Sequence, residues 1–198
     1  MKFLNMTIKQ ISDEVTEIAL VRTGFSKCEK RGIAVSIPVR DKKKCIQYNT
    51  CAIKYQNAVI RPYLLTSKEA ASLKTPKAKS NRIKQFRLKI TPFDCTSFVD
   101  CIQICPNGAL KMIKRKHKID NQGIKNWNKC ITIPNRCHFV SKKTVRDSQF
   151  LQPLLKFNGI CPIWGEPAFI KLLTQIYADQ LYITSATGCS LIWAATFP

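Results

Sequence analysis

The sequence has no run of about eighteen apolar residues, and Met1 to Gln10 holds no continuous hydrophobic stretch before a small-residue cleavage site. Neither a membrane span nor a signal peptide is expected, so the chain reads as soluble and intracellular. Acidic residues are scarce, 12 Asp and Glu against 33 Lys and Arg, which leaves a formal charge of +21. Nucleophile-elbow, phosphate-loop and HExxH patterns are absent, and the 2 histidines stand alone in basic surroundings, where they read as exposed side chains.

The positive charge suits nucleic acid, acidic lipid or an acidic protein equally well. The lysines are densest over Lys68 to Lys89 and Lys111 to Lys118, without the aromatic interleaving of a single-strand stacking platform. That argues against a nucleic-acid site and for a solvated lysine-rich surface.

The chain does have 10 cysteines in its 198 residues, a length that can bury a core in one or two small domains. Without an export signal they read as ligands of a cluster or metal, or as redox groups, rather than as disulfides. Their spacing is organised by an internal repeat. Cys45-Ile-Gln-Tyr-Asn-Thr-Cys51-Ala-Ile-Lys-Tyr-Gln56-Asn57 lies over Cys95-Thr-Ser-Phe-Val-Asp-Cys101-Ile-Gln-Ile-Cys105-Pro106-Asn107 at an offset of fifty. The second copy departs at a single cysteine from the bacterial iron-sulfur motif CxxCxxCxxxCP.

Short β-like runs follow each copy, over Ala58 to Tyr63 and Ala109 to Ile113, and another, Phe86 to Thr91, precedes the second. Between the copies, Thr66 to Lys84 is polar and lysine-rich and reads as an inserted surface loop. A polar connection, His117 to Ser148, leads into a segment with fewer charges. There Phe169, Ile170, Leu172, Leu173, Ile176, Tyr177 and Leu181 have the one-face spacing of an amphipathic helix, expected to be buried. A β-prone run, Leu181 to Ser185, and a glycine turn, Ala186 to Ser190, then read as the start of an α/β domain that the chain does not complete.

In a two-cluster ferredoxin each motif gives three cysteines to one cluster and its fourth to the other. On that rule the first site holds Cys45, Cys51 and Cys105, with Tyr48 in the second ligand position. Three thiolates suffice for a three-iron (3Fe-4S) cluster. The second site keeps Cys95 and Cys101, with Phe98 and Tyr55 in ligand places, and its rings are expected to fill the space as core. A zinc site from His117, Cys130, Cys137 and His138 fits zinc-knuckle spacing poorly. Cys28, Cys130 and Cys137 receive no role.

These words, in this order, resemble the pyruvate:ferredoxin (flavodoxin) oxidoreductases over about Thr23 to Trp193. Glu29-Lys-Arg-Gly-Ile-Ala34 is similar to the family's entry to its ferredoxin segment. Cys45-Ile-Gln, Cys51-Ala and Ala58-Val-Ile-Arg-Pro62 resemble its first cluster loop, and Asp94-Cys-Thr with Cys105-Pro its second. Ser148-Gln-Phe-Leu-Gln-Pro-Leu-Leu155 resembles the linker to the thiamine diphosphate domain. Cys161-Pro-Ile-Trp-Gly-Glu166 is similar to the CxxCGE loop, and Ala186-Thr-Gly-Cys-Ser190 with Ile192-Trp193 to the ATGCSSIWG loop.

The resemblance implies an α+β fold. A duplicated, ferredoxin-like two-cluster module over 41–116, with the basic loop 66–84 inserted, would follow a connecting segment 1–40. A linker 117–149 would lead to a truncated α/β thiamine diphosphate-binding unit over 150–198. It implies 4Fe-4S ligands at Cys45, Cys51, Cys105, Cys95, Cys101, Cys161 and Cys189, with Trp164 replacing a third ligand of the last site. Glu166, Thr187 and Gly188 would lie beside the cofactor. In the full-length family thiamine diphosphate and magnesium decarboxylate pyruvate, coenzyme A takes the acetyl group, and electrons pass through three clusters to ferredoxin or flavodoxin. The chain is thus expected to be an electron-transfer segment, inactive without the remainder of the enzyme. The competing expectations are a cluster-free basic interaction protein and a remnant with no selected function. The implied location is the cytoplasm, or an organelle such as a hydrogenosome in an anaerobic eukaryote.

Overall fold

The computed structural model describes residues 32–55, 57–70, 78, 85–134, 136–153, 155, 164–177, 180–184 and 188. Cys28, Cys161, Thr187 and Cys189 lie outside the described residues. The elements in chain order are β1 (Ser36–Arg40), α1 (Thr50–Lys54), β2 (Ile60–Leu65), α2 (Ser67–Ala70), β3 (Gln85–Ile90), α3 (Asp100–Gln103), β4 (Leu110–Lys114), α4 (His117–Ile131), a 3-10 turn (Cys137–Phe139), α5 (Val145–Ser148) and α6 (Glu166–Tyr177).

The architecture is mixed α and β, with two small antiparallel sheets, β1 with β4 and β2 with β3, as an α+β reading requires. The registers carry the repeat. Ser36 pairs with Lys114, and fifty residues along, Phe86 pairs with Leu64. Each sheet is therefore the image of the other, and the first strand of each copy pairs with the last strand of the opposite copy. Pro38 and Pro62 are tolerated because each strand of a two-stranded ladder has one unpaired edge.

The backbone repeats as well. Gln47 and Ser97 share positive φ (61° and 62°), as do Ala58 and Gly108 (50° and 54°). A left-handed residue turns the chain into each cysteine loop, and a second turns it out toward the following strand.

The core lies where the two sheets meet α1 and α3, and includes Ile37, Ala52, Tyr55, Val59, Ile60, Leu64, Phe86, Cys95, Cys101 and Leu110. Burial of a side chain such as Ile60 or Phe86 contributes about 1.5–3 kcal/mol. Phe150 joins this core, its ring meeting Phe86 edge-on at 6.2 Å between centroids.

Several features depart from the sequence reading. β1 falls within the residues read as a connecting segment, and the polar connection carries α4, a helix of 15 residues. α4 packs on β3, with Arg87 donating to Asn126 Oδ1 at 2.7 Å and Lys89 Nζ lying 5.2 Å from the Trp127 ring centroid. In α6 the helix forms, but its apolar stripe does not face the core. Phe169 is 69% exposed, and Leu173 and Tyr177 are also exposed, while Pro167, Ala168, Lys171 and Gln175 are buried. Leu181 to Thr184 forms no strand, and Tyr182 is fully in solvent. Among the described residues the only strands are β1 to β4, and no helix is long and apolar enough to cross a membrane.

Candidate metal centre

Three of the expected ligands come together. Cys45, Cys51 and Cys105 line one pocket with Gln47, Tyr48, Leu88 and Pro106. Two come from the loop before α1 and its first turn, and the third comes from just after α3, so the pocket exists only because the copies cross over. Tyr48, 56% exposed, forms part of the wall instead of filling the interior. The three thiols share a pocket without converging on a single point, since among the described residues no three His, Cys, Asp or Glu are placed to chelate one ion.

The pocket's electrostatics are those of crowded, buried sulfur. Burial pushes the Cys51 thiol up to about 12, and the neighbouring Cys45, Cys105 and Cys101 push in the same direction. Thiolates here require a cation to offset them, as a coordinated metal does when it deprotonates its ligands. Arg40 Nη1 lies 3.7 Å from Cys45 Sγ, and the backbone N–H of Ala109 donates to Cys105 Sγ at 3.2 Å.

The image of this pocket in the other copy is buried. Cys95 and Cys101 are fully buried, and Tyr55, at the place corresponding to Cys105, is 2% exposed. Its hydroxyl donates to Cys95 Sγ at 3.3 Å and accepts the N–H of Thr96 at 3.1 Å. Cys101 Sγ donates to the carbonyl of Phe98 at 3.7 Å, and Ser97 Oγ bonds Ser36 O at 2.9 Å and Ser36 N at 3.0 Å. Burial raises the thiol pKa of Cys95, and it raises that of Cys101 to about 12. Two thiols whose space is taken by an aromatic ring do not fit a four-iron cluster.

Of the third set, Cys161, Thr187 and Cys189 lie outside the described residues, so no geometry joins them to Glu166 or Gly188. Glu166 opens α6 and accepts a 3.2 Å hydrogen bond from Trp164 Nε1, while Gly188 is exposed with φ at 136°. Cys130 is buried on the inner face of α4. Burial raises its pKa, against the opposing influence of Lys89, Arg87 and Arg61.

One residue that braces the first cysteine loop is not evident from the sequence. Lys171, in α6 and 1% exposed, sends Nζ to the carbonyls of Ala52 (2.6 Å), Ile53 (2.9 Å) and Tyr55 (2.5 Å) at the end of α1. A lysine inside an apolar stripe was the available signal.

No protein-family model matches the chain. It is 40% identical over 185 residues to pyruvate dehydrogenase (NADP+) of Cryptosporidium parvum, a match covering 90% of this chain and 10% of that protein. It is 37% identical over 183 residues to pyruvate:ferredoxin oxidoreductase of Moorella thermoacetica, covering 88% and 16%. With pyruvate-flavodoxin oxidoreductase of Enterobacter agglomerans the identity is 35% over 180 residues, covering 89% and 15%. The chain thus spans between 10% and 16% of the length of these relatives.

Proposed function

We propose, from the chain's homology to one segment of the pyruvate:ferredoxin (flavodoxin) oxidoreductases, that it is an iron-sulfur electron-transfer segment of such an enzyme, with one retained cluster site at Cys45, Cys51 and Cys105. The observation that carries this reading is the pocket those three cysteines line. Three soft sulfur donors lining one pocket have the chemistry of an iron-sulfur site, which would supply one-electron transfer once a cluster drew them together. Cys45 and Cys51 from one copy and Cys105 from the other would hold the group, with Leu88 and Pro106 also lining the pocket.

The remaining ligand sets do not fit in this way. Tyr55 occupies the space at Cys95 and Cys101, so no electron step is assigned there. The segment would serve an oxidative decarboxylation of pyruvate to acetyl-CoA, with ferredoxin or flavodoxin as acceptor, only together with thiamine diphosphate, magnesium and further protein. The filled second site, with the charge of +21, favours one other reading, a cluster-free protein that binds acidic partners.

Anaerobic reconstitution with ferrous iron and sulfide separates the two. A brown protein with cluster absorbance that is lost in Cys51→Ser supports the electron-transfer reading. A colourless protein overturns it.

A further inference from the structure

The first cysteine loop is held from outside its own repeat. Asn49 Nδ2 donates to the carbonyl of Arg146 at 2.9 Å, and Lys171 Nζ reaches three carbonyls at the end of the helix whose first turn contains Cys51. An ammonium has three N–H donors, and three acceptors meet it, whereas a neutral amine would leave one carbonyl without a donor. The acceptors lie at the C-terminal end of α1, where the helix dipole favours positive charge. In the second copy the equivalent place is filled locally, Ile102 O accepting the backbone N–H of Cys105 at 3.1 Å.

Lys171 is completely buried, and such a charge is kept only where its hydrogen bonds and neighbours offset desolvation. Burial draws its pKa down to about 7, and Cys51 draws it back up. A thiolate at Cys51, such as a coordinated metal would stabilise, is thus the group that favours the charged lysine. In a poorly solvated site a fixed positive charge lowers the cost of gathering negative sulfur, and it favours the reduced, more negative state of a redox group held by that sulfur.

We propose that Lys171 is a positioning residue of the three-cysteine pocket, clamping the α1 end of the Cys45–Cys51 loop and supplying positive charge that offsets the thiolates gathered there. The clamp needs only the fold, whereas the electrostatic role rests on the cluster reading above. The segment that contains α6 thereby acts on the first site without contributing a ligand to it.

Two measurements on the full chain test the proposal with Lys171→Gln and Lys171→Met. Glutamine keeps two donors and serves if the methionine variant does not fold. In the cluster-free protein, amide hydrogen exchange at residues 52–55 is expected to quicken several-fold while residues 102–105 stay unchanged. Equal protection at 52–55 overturns the clamp. In protein reconstituted with ferrous iron and sulfide, both variants are expected to show a midpoint potential shifted to more negative values. An unchanged or more positive potential overturns the electrostatic role, because a merely structural lysine would not move it in this direction. If the wild type takes up no iron, the cluster reading and the electrostatic role fall together, and the exchange result alone decides the clamp.

Discussion

The hydroxyl of Tyr55 bridges Cys95 Sγ and the N–H of Thr96, at 3.3 and 3.1 Å, in the place whose image fifty residues along is Cys105. One copy therefore has a sulfur-lined pocket, and the other has a hydrogen-bonded aromatic core. Tyr55→Phe keeps the ring and removes the bridge, leaving a half-buried N–H without its acceptor. A loss of about 1–3 kcal/mol is expected in urea denaturation. An unchanged midpoint would mean that ring packing alone holds the second site.

Gly123, inside α4, faces Pro92 so closely that a Cβ would sit 2.7 Å from Pro92 Cγ. Gly123→Ala favours the isolated helix but pushes α4 off the turn after β3. A net destabilisation of about 1–3 kcal/mol is expected, as overpacking costs that much. A gain in thermal midpoint would show that α4 moves without cost.

Gly108 has φ at 54° with open space where a Cβ would go, so Gly108→Ala tests the backbone alone. The left-handed conformation costs an L-residue about 1–2 kcal/mol. Its image, Ala58, already bears that strain at φ 50°. Ala58→Gly is expected to have the opposite sign, moderated by the greater freedom glycine gains on unfolding. Equilibrium unfolding of both variants checks the pair.

Stability should fall in alkali. Burial holds Cys51 and Cys101 at about 12, above the ordinary thiol value of 9.0, so between these limits the folded chain keeps protons that the unfolded chain has released. With more protons bound in the native state, unfolding free energy decreases as pH rises from about 9 toward about 12. Cys51→Ser and Cys101→Ser should each flatten this slope in denaturation measured across that range. A slope unchanged from wild type in both variants would assign the effect elsewhere.

Much of this was legible in the sequence. The fifty-residue repeat marked both cysteine loops, and the apolar runs marked β2, β3 and β4 to within two residues. β1 was hidden because Pro38 breaks its pattern and Arg40 leads into a run of lysines. α4 was hidden because its buried face includes Cys130 and a glycine chosen for contact with Pro92.

The larger departure is α6. Periodicity assigns Phe169, Leu173 and Tyr177 to the core, because it treats a lysine as solvent-seeking. Lys171 and Gln175 are buried instead, because acceptors distant in sequence satisfy them. Lys171 Nζ meets α1 carbonyls, and Gln175 donates to Leu151 O at 3.1 Å while accepting from Gln149 at 2.9 Å. No window along the chain contains those partners. The ligand positions were legible as spacing, but only the fold distinguishes a pocket at Cys45, Cys51 and Cys105 from a filled core at Cys95 and Cys101.

The most direct measurement is iron per chain after anaerobic reconstitution, compared among wild type, Cys51→Ser and Cys101→Ser. The account predicts roughly three to four irons per wild-type chain, as one cluster requires, with loss in Cys51→Ser and retention in Cys101→Ser. Equal loss in both variants, or no iron in the wild type, would contradict it.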